Sequence, residues 1–499
     1  LTVDGGTIKL DGNYPVGTAN VALGDTALDS LTTGGYNAAV GYNSLGSNTT
    51  ANNNTALGYF SLSANTTGGT NTAVGGQSLL ANTTANGNTA LGYNTLAVNT
   101  IGDSNTAVGA LALDANTTAS QNTAVGKGAL TANTTGALNA AFGDGALQTA
   151  TTADGNTAVG SGSQLFTTTG AGNVSVGRIA LFYNTTGESN VAIGKEALFS
   201  NTTASNNTAV GYRAGFSNTT GQTNVAVGVS AMRSNTTGSE NVAVGVNSFY
   251  YNTTGDNNVA LGQSALQNNT TASDNSAVGY QALYSNTTGT DNNAQGKSAL
   301  WSNSTGSQNT AMGDGAGYAN TTGSYNTALG ASALNSNTTA SNNTAVGYQS
   351  LYSKTTGDSN TGVGYQAGYN VITGTENVFI GQVAGYGATG SSNTGVGRAA
   401  LYGTGSGSYN SAFGNGALQA NTTADNNTAV GYGAGYNNTT GANNTALGRL
   451  AMEANTTGSL NVSVGAVALF SNTIGANNTA LGYEALRANT TASSNTAVG

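Results

Sequence analysis

Residues 207–228 read NTAVGYRAGFSNTTGQTNVAVG, one block of seventeen residues followed by the opening of the next. The pattern Asn-x-small-apolar-Gly starts at Asn20 and recurs every 17 residues to Asn377. It shortens once to 16, between Asn377 and Asn393, and then keeps to 17 until Asn495. All 29 first positions are Asn, and all 29 fifth positions are Gly, from Gly24 to Gly499. Numbered from that Asn, the rough consensus is N-T-A-V-G-Y-x-A-L-Y-S-N-T-T-G-x-x. Helix is a poor reading, because Asn, Thr, Gly and Val are weak helix formers. Two short β-prone runs, TAVG and ALY, stand between Gly- and Asn-rich corners and predict two short strands per repeat. A fixed short period of this kind predicts an all-β fold, a parallel β-solenoid of 17-residue coils. Identical positions then stack about 4.8 Å apart.

Stacking gives each repeated residue a task. The first-position Asn, Asn207 for example, is expected to form a ladder from coil to coil. The fifth-position Gly, Gly211 for example, is expected to hold a corner with positive φ or a crowded backbone. Position 4 is apolar in 28 of 29 repeats, the exception being Gln295. Position 3 is Ala in 24 and Ser or Gly in four more, the exception being Phe379. Successive strand residues face opposite ways, which suggests an interior row at position 4 and a small-residue seam at position 3. Gln295 is then expected inside, with a partner for its amide. Phe379 stands between Gly362 and Gly395, the only glycines of the position-3 row. That arrangement fits a tightly filled seam between chains, with three Phe379 rings meeting near a three-fold axis. A thin coil core of roughly three or four apolar side chains, at about 1.5–3 kcal/mol each, is marginal alone. A second buried face would help, and three-fold association is the expected form, although spacing alone leaves a monomer open. The short repeat, residues 377–392, is expected to lose its residue in the corner and keep its strand in step.

Composition excludes several functions. Charged residues are 6% of the 499, against about 25% in ordinary domains. The 11 basic residues are scattered, so no nucleic-acid footprint forms. No run of 18 apolar residues suggests a membrane span, and the start, LTVDGGTIKL, lacks the regions of a signal peptide. His and Cys are absent, which removes Ser-His-Asp and Cys-His nucleophiles and the usual zinc sites. Six of the 20 acids, Asp103, Asp154, Glu188, Asp256, Asp358 and Asp425, fall at position 16, where they read as solvated turn residues. The calcium repeat G-G-x-G-x-D is absent, and GTGSG (403–407) lacks the strand-to-helix setting of a phosphate loop. The expectation is no enzyme, no cofactor and no metal.

The remaining candidates are surface rows. Position 10 carries an aromatic row that includes Phe216, Tyr250, Tyr284, Trp301, Tyr318 and Tyr352. It could form a platform for sugars or simply pack. All five position-9 glycines precede an aromatic, as if the ring covered the space of a missing Leu. The NTT corners, such as Asn218-Thr219-Thr220, fit a glycosylation acceptor and equally a solvated turn. Their Thr rows also raise ice binding, though a flat strand face would suit that better than a loop.

NTAVG and NVAIG (190–194) resemble the head repeats of trimeric autotransporter adhesins. The resemblance implies left-handed parallel β-rolls with three chains side by side. The extra NTTG corner departs from that pattern. The fuller unit, and the lead-in GNYPVGTANVALGDTAL (12–28), resemble phage tail-fibre-like proteins of the endosialidase-chaperone type. Together these resemblances imply the shaft of an extracellular attachment fibre, a homotrimer giving reach and multivalent contact with cell-surface glycans or proteins. A bacterial surface adhesin is the alternative, and an ice- or surface-binding solenoid the second. The expected organisation is a lead-in over 1–19 and a continuous solenoid over 20–499. Because the last repeat stops at Gly499 without a polar cap, the chain is expected to continue beyond it.

Overall fold

The computed structural model describes residues 17–499; most of the lead-in, residues 1–16, lies outside it. The chain divides into two compact bodies, one ending at Thr254 and one running Gly255–Gly499. Both are built in the same way. The first holds fourteen strands, β1 (Val21–Leu23) to β14 (Val242–Val244), and the second fifteen, β15 (Val259–Leu261) to β29 (Thr496–Val498). Each strand is three residues long, positions 2 to 4 of one repeat. Neighbours pair in parallel one repeat apart: Val191, Ala192 and Ile193 lie beside Thr208, Ala209 and Val210. Each body is therefore a parallel β-solenoid with one repeat per coil, and the described residues contain no helix.

There is one strand per coil, not two. Positions 6 to 11, the expected ALY strand, form a continuous turn. Positions 7 and 9 adopt left-handed backbone, as at Asn43 (φ 54°) and Leu45 (φ 50°). These residues still bond neighbouring coils, with the N–H of Asn43 donating to Asp25 and that of Leu45 to Ser61. Left-handed residues at alternate positions curl the segment, so positions 8 and 9 both face inward instead of alternating. At the strand's end Gly211 has φ +139°, and a Cβ there would lie 2.5 Å from the carbonyl oxygen of Gly228. Only glycine fits that corner.

The strand also faces the opposite way from the sequence expectation. Position 3 is the interior row: Ala39, Ala107, Ala209 and Ala294 are fully buried within the chain. Position 4 points outward, and Leu57 and Leu91 are each 47% exposed. Gln295 is exposed like its neighbours in that row, and its Nε2 donates to Asn293 Oδ1 at 3.2 Å on the same face. The reason is the cross-section. In most coils the interior is filled from the opposite wall by one large side chain, the position-9 Leu, with Leu45, Leu62 and Leu113 fully buried. That leaves room for only a methyl group from the strand.

Phe379 follows the same rule. It is fully buried in its own coil, so it does not lie in a seam between chains. Its ring occupies the place of the absent Leu at position 9, where a Cβ on Gly385 would run into it. A Cβ on Gly395 would come within 3.2 Å of it. Gly395 thus makes room for the ring within one coil stack, and Gly368 does the same at 3.2 Å, whereas a Cβ on Gly362 would meet Ser350 and Leu351 and not the ring. At other position-9 glycines the space goes to the preceding coil's Leu and not to the aromatic at position 10. A Cβ on Gly215, Gly317 or Gly435 would meet Leu198, Leu300 or Leu418 at 2.9 Å.

Two asparagine ladders line the corners. Asn207 is 1% exposed. Its Oδ1 accepts the N–H of Asn224 at 2.9 Å, and its Nδ2 closes its own coil on the carbonyl of Gly221 at 3.0 Å. The second ladder is the Asn of the NTT corner, read from sequence as solvated. Asn218 is 2% exposed, and its Nδ2 donates to Asn201 Oδ1 at 3.0 Å and to Gly221 at 2.9 Å. One corner carbonyl thus receives both amides, which satisfies buried polar groups that would otherwise cost about 1–3 kcal/mol each. The short repeat keeps step. β22 (Val378–Ile380) pairs with β23 (Thr394–Val396), and the Asn393 N–H still reaches Asn377 Oδ1 at 2.9 Å. Its corner is shortened, since Asn377 Nδ2 closes on Gly390, thirteen residues on in place of fourteen.

Candidate functional site

The aromatic row at position 10 is ordered by the coil repeat, which brings rings one repeat apart face to face. Phe182, Phe199 and Phe216 stack with centroids 5.3 and 5.1 Å apart and planes within 6°. Arg233 continues the column, its guanidinium 5.9 Å from the Phe216 ring and 5.4 Å from Tyr250, and it donates to the Tyr250 hydroxyl. In the second body Tyr284, Trp301 and Tyr318 stack at 5.5 and 5.3 Å. Tyr352, Tyr369, Tyr386 and Tyr402 form a column of four at 5.1 to 5.2 Å. Tyr369 is pushed above the usual tyrosine pKa, first by burial and then by its neighbouring tyrosines.

Within a column each ring face is covered by the next ring. A sugar stacks on a free face, and these columns leave mainly edges and end faces. The row therefore braces one wall of the coil stack, at about 0.5–1.5 kcal/mol per aromatic pair.

Beside the columns lies a feature that single-position reading missed. Position 11 turns outward, and Phe166 and Tyr183 stack there 5.5 Å apart at 4°. With Ser200 they form one bank of a shallow groove of about 550 Å³, whose other bank is Thr168, Thr185 and Thr202. The signal was present as aromatics one repeat apart at 166 and 183, outside the commonest aromatic position. The Thr bank is held by its own ladder, in which the hydroxyls of Thr168 and Thr185 each donate to the next coil's carbonyl at 3.0 Å.

Charged groups are used locally. Arg213 sits 2.5 Å from Glu196, and this hydrogen bond, ahead of the Lys195 contact, holds the Glu196 carboxyl below the usual range. The position-16 acids cap backbone: Asp103 and Asp154 accept the N–H of Asn86 and Ala137 at 2.6 Å, one coil back. Serines such as Ser205 do the same for Glu188. Among the described residues no three His, Cys, Asp or Glu side chains converge on a metal position, and no helix is long and apolar enough to cross a membrane. The buried amide of Asn218 shows that the NTT corner is a structural ladder whose Asn is inaccessible once the coil closes. No family model and no curated protein matches the chain.

Proposed function

We propose that this chain is the shaft of an extracellular attachment fibre, of the phage tail-fibre kind, assembled from three left-handed β-rolls. Its work is mechanical. The observation that carries the reading is that the coils are closed and solid, with Ala, Leu and Asn ladders filling most of their interiors, while the same outer rows recur from coil to coil. Such a body transmits length, and it repeats any weak surface contact many times, so that avidity replaces affinity. The exposed rows offer cell-surface glycans or proteins edges and shallow grooves in place of a deep pocket.

A second reading, a surface that binds ice, is favoured by one observation. The outward strand face carries Thr at position 2, including four successive coils from Thr55 to Thr106 and the next at Thr123, which is the flat strand setting that the NTT corners lack. Protein coupled to beads at graded density tests both. Attachment to bacterial or host cells that steepens with density supports the fibre. Beads that attach to no cell type, with a free protein that lowers the freezing point below the melting point, would move the assignment to ice.

A further inference from the structure

Two side-chain ladders tie coil to coil along the NTT corner, and in the second body both are interrupted at one place. Position 12 is Asn in 21 of its 28 occurrences, and four of the seven exceptions are consecutive: Lys354, Val371, Ala388 and Thr404. All four are fully buried. The Asn ladder ends at Asn337, whose Oδ1 has no partner, and the hydroxyl of Thr404 has none either. It resumes where Asn438 donates to Asn421 Oδ1 at 3.0 Å. The Thr ladder at position 13 fails over the same stretch. Thr355 donates its hydroxyl to the Ile372 carbonyl at 3.1 Å, and the next such bond runs from Thr422 to Thr439 at 2.9 Å. Backbone bonding thins as well. The N–H groups of Thr355 and Thr389 reach the next coil at 3.0 and 2.7 Å, whereas those of Ile372 and Gly405 reach no carbonyl. What stands in place of the ladders is apolar. The same four coils, from Asn343 to Tyr409, carry the column Tyr352, Tyr369, Tyr386 and Tyr402. A hydrogen bond weakens steeply when misaligned, while stacked rings accept offset and tilt. The first body has only a shorter break, at Ala150 and Thr167, and its Thr ladder runs on, from Thr151 to Thr168 at 3.2 Å and from Thr168 to Thr185 at 3.0 Å.

We propose that the coils from Asn343 to Tyr409 are a yielding segment built into the second body, which opens locally and as a unit before the coils on either side, while the Tyr column keeps them in register. Regions open in order of how few buried contacts and hydrogen bonds hold them, and here three terms favour opening. Each missing rung removes an inter-coil bond that the closed state elsewhere possesses. The unpartnered oxygens of Asn337 and Thr404 regain water when the corner opens. So does the ammonium of Lys354, which inside the coil has one acceptor, the Gly374 carbonyl. The tyrosines oppose separation without fixing direction, so the segment gives without falling out of step. In a shaft, such a segment sets the height at which bending and unfolding begin.

Amide hydrogen exchange of the full chain, read by mass spectrometry and corrected for intrinsic rates, tests this directly. The reference is residues 286–340 of the same body, where Asn286, Asn303, Asn320 and Asn337 keep the ladder. Residues 354–407 are expected to exchange at least about tenfold faster than this reference. Equal protection of the two stretches overturns the proposal. Lys354→Asn combined with Val371→Asn extends the ladder by two coils beyond Asn337. In that protein the onset of fast exchange is expected to move from the coil of Asn343 to the coil of Asn377. An onset that stays at Asn343 in the folded double variant overturns the proposal, because the missing rungs would then not be the cause. Should the variant not fold, the comparison within the parent chain still decides. The measurement involves no partner and no cell, so the attachment reading stands under either result.

Discussion

At the level of single residues, Asn122 shows what holds one coil to the next. Its Oδ1 accepts the N–H of Asn139 at 2.9 Å, and its Nδ2 donates to Gly136 at 2.9 Å. Asn122→Ala strands a buried N–H and weakens the corner, so a loss of about 2–4 kcal/mol is expected, read as a lower midpoint in urea. Asn122→Asp is expected to be no better, because its second oxygen would face a carbonyl. This first ladder was legible in the sequence, because a residue repeated without exception at one position needs a partner at the same height. The second ladder was not, because Asn-Thr-Thr-Gly is also what a solvated turn looks like. The sense of the strand was hidden for a related reason. Alternation shows that positions 3 and 4 face opposite ways, but not which way is in. That is decided by the opposite wall, where the position-9 leucine already fills the coil, and Phe379 beside Gly385 is where the sequence hinted at it.

At the level of the coil, the corner at position 15 follows a rule that the repeats reveal once the geometry is known. A Cβ at Gly306 or Gly68 would press on the carbonyl of the next coil, yet nine corners carry Ala, and no two of them are adjacent. Every Ala of this row has glycine at position 15 of its neighbouring coils. Gly306→Ala, between Gly289 and Gly323, is therefore expected to stay within about 0.5 kcal/mol of the parent. Gly68→Ala, between Ala51 and Ala85, is expected to cost about 1–3 kcal/mol by overpacking. Equal midpoints for the two variants would contradict the rule.

The second Asn ladder breaks at Lys354, which is fully buried and donates from Nζ to the Gly374 carbonyl at 2.7 Å. The Oδ1 of Asn337, one coil back, is left without a partner. Burial holds the Lys354 pKa down at about 8 from 10.5, against a weaker upward pull from Asp358. The unfolded chain thus binds this proton more tightly, and stability rises with pH between about 8 and 10.5, by about 3 kcal/mol at most. Lys354→Asn removes that slope and returns a donor to Asn337, so it is expected to be the more stable protein at pH 7. Parallel stability profiles for the two proteins across this window would show that the ammonium is not buried as described.

At the level of the whole molecule, the period carried most of the information. One repeat per coil, the parallel register and the in-step short repeat at 377–392 were all readable, because a solenoid needs only local spacing to be specified. The missing second strand was not readable, since left-handed backbone at Leu45 or Asn43 leaves no mark in residues that also suit a strand. The aromatic columns were half readable: their spacing showed rings in a row, but not that each ring covers its neighbour's face.

The central claim is that seventeen residues make one coil and that coils make length. The most direct measurement is a deletion of whole coils. Removing residues 71–206 takes out eight repeats, joins Thr70 to Asn207 in phase, and keeps both ladders and the glycine corner at the junction. Electron microscopy of the purified protein should show particles of unchanged width, shorter by about 38 Å at roughly 4.8 Å per coil. Particles of unchanged length, or broader ones, would mean that the repeats do not stack singly along one axis.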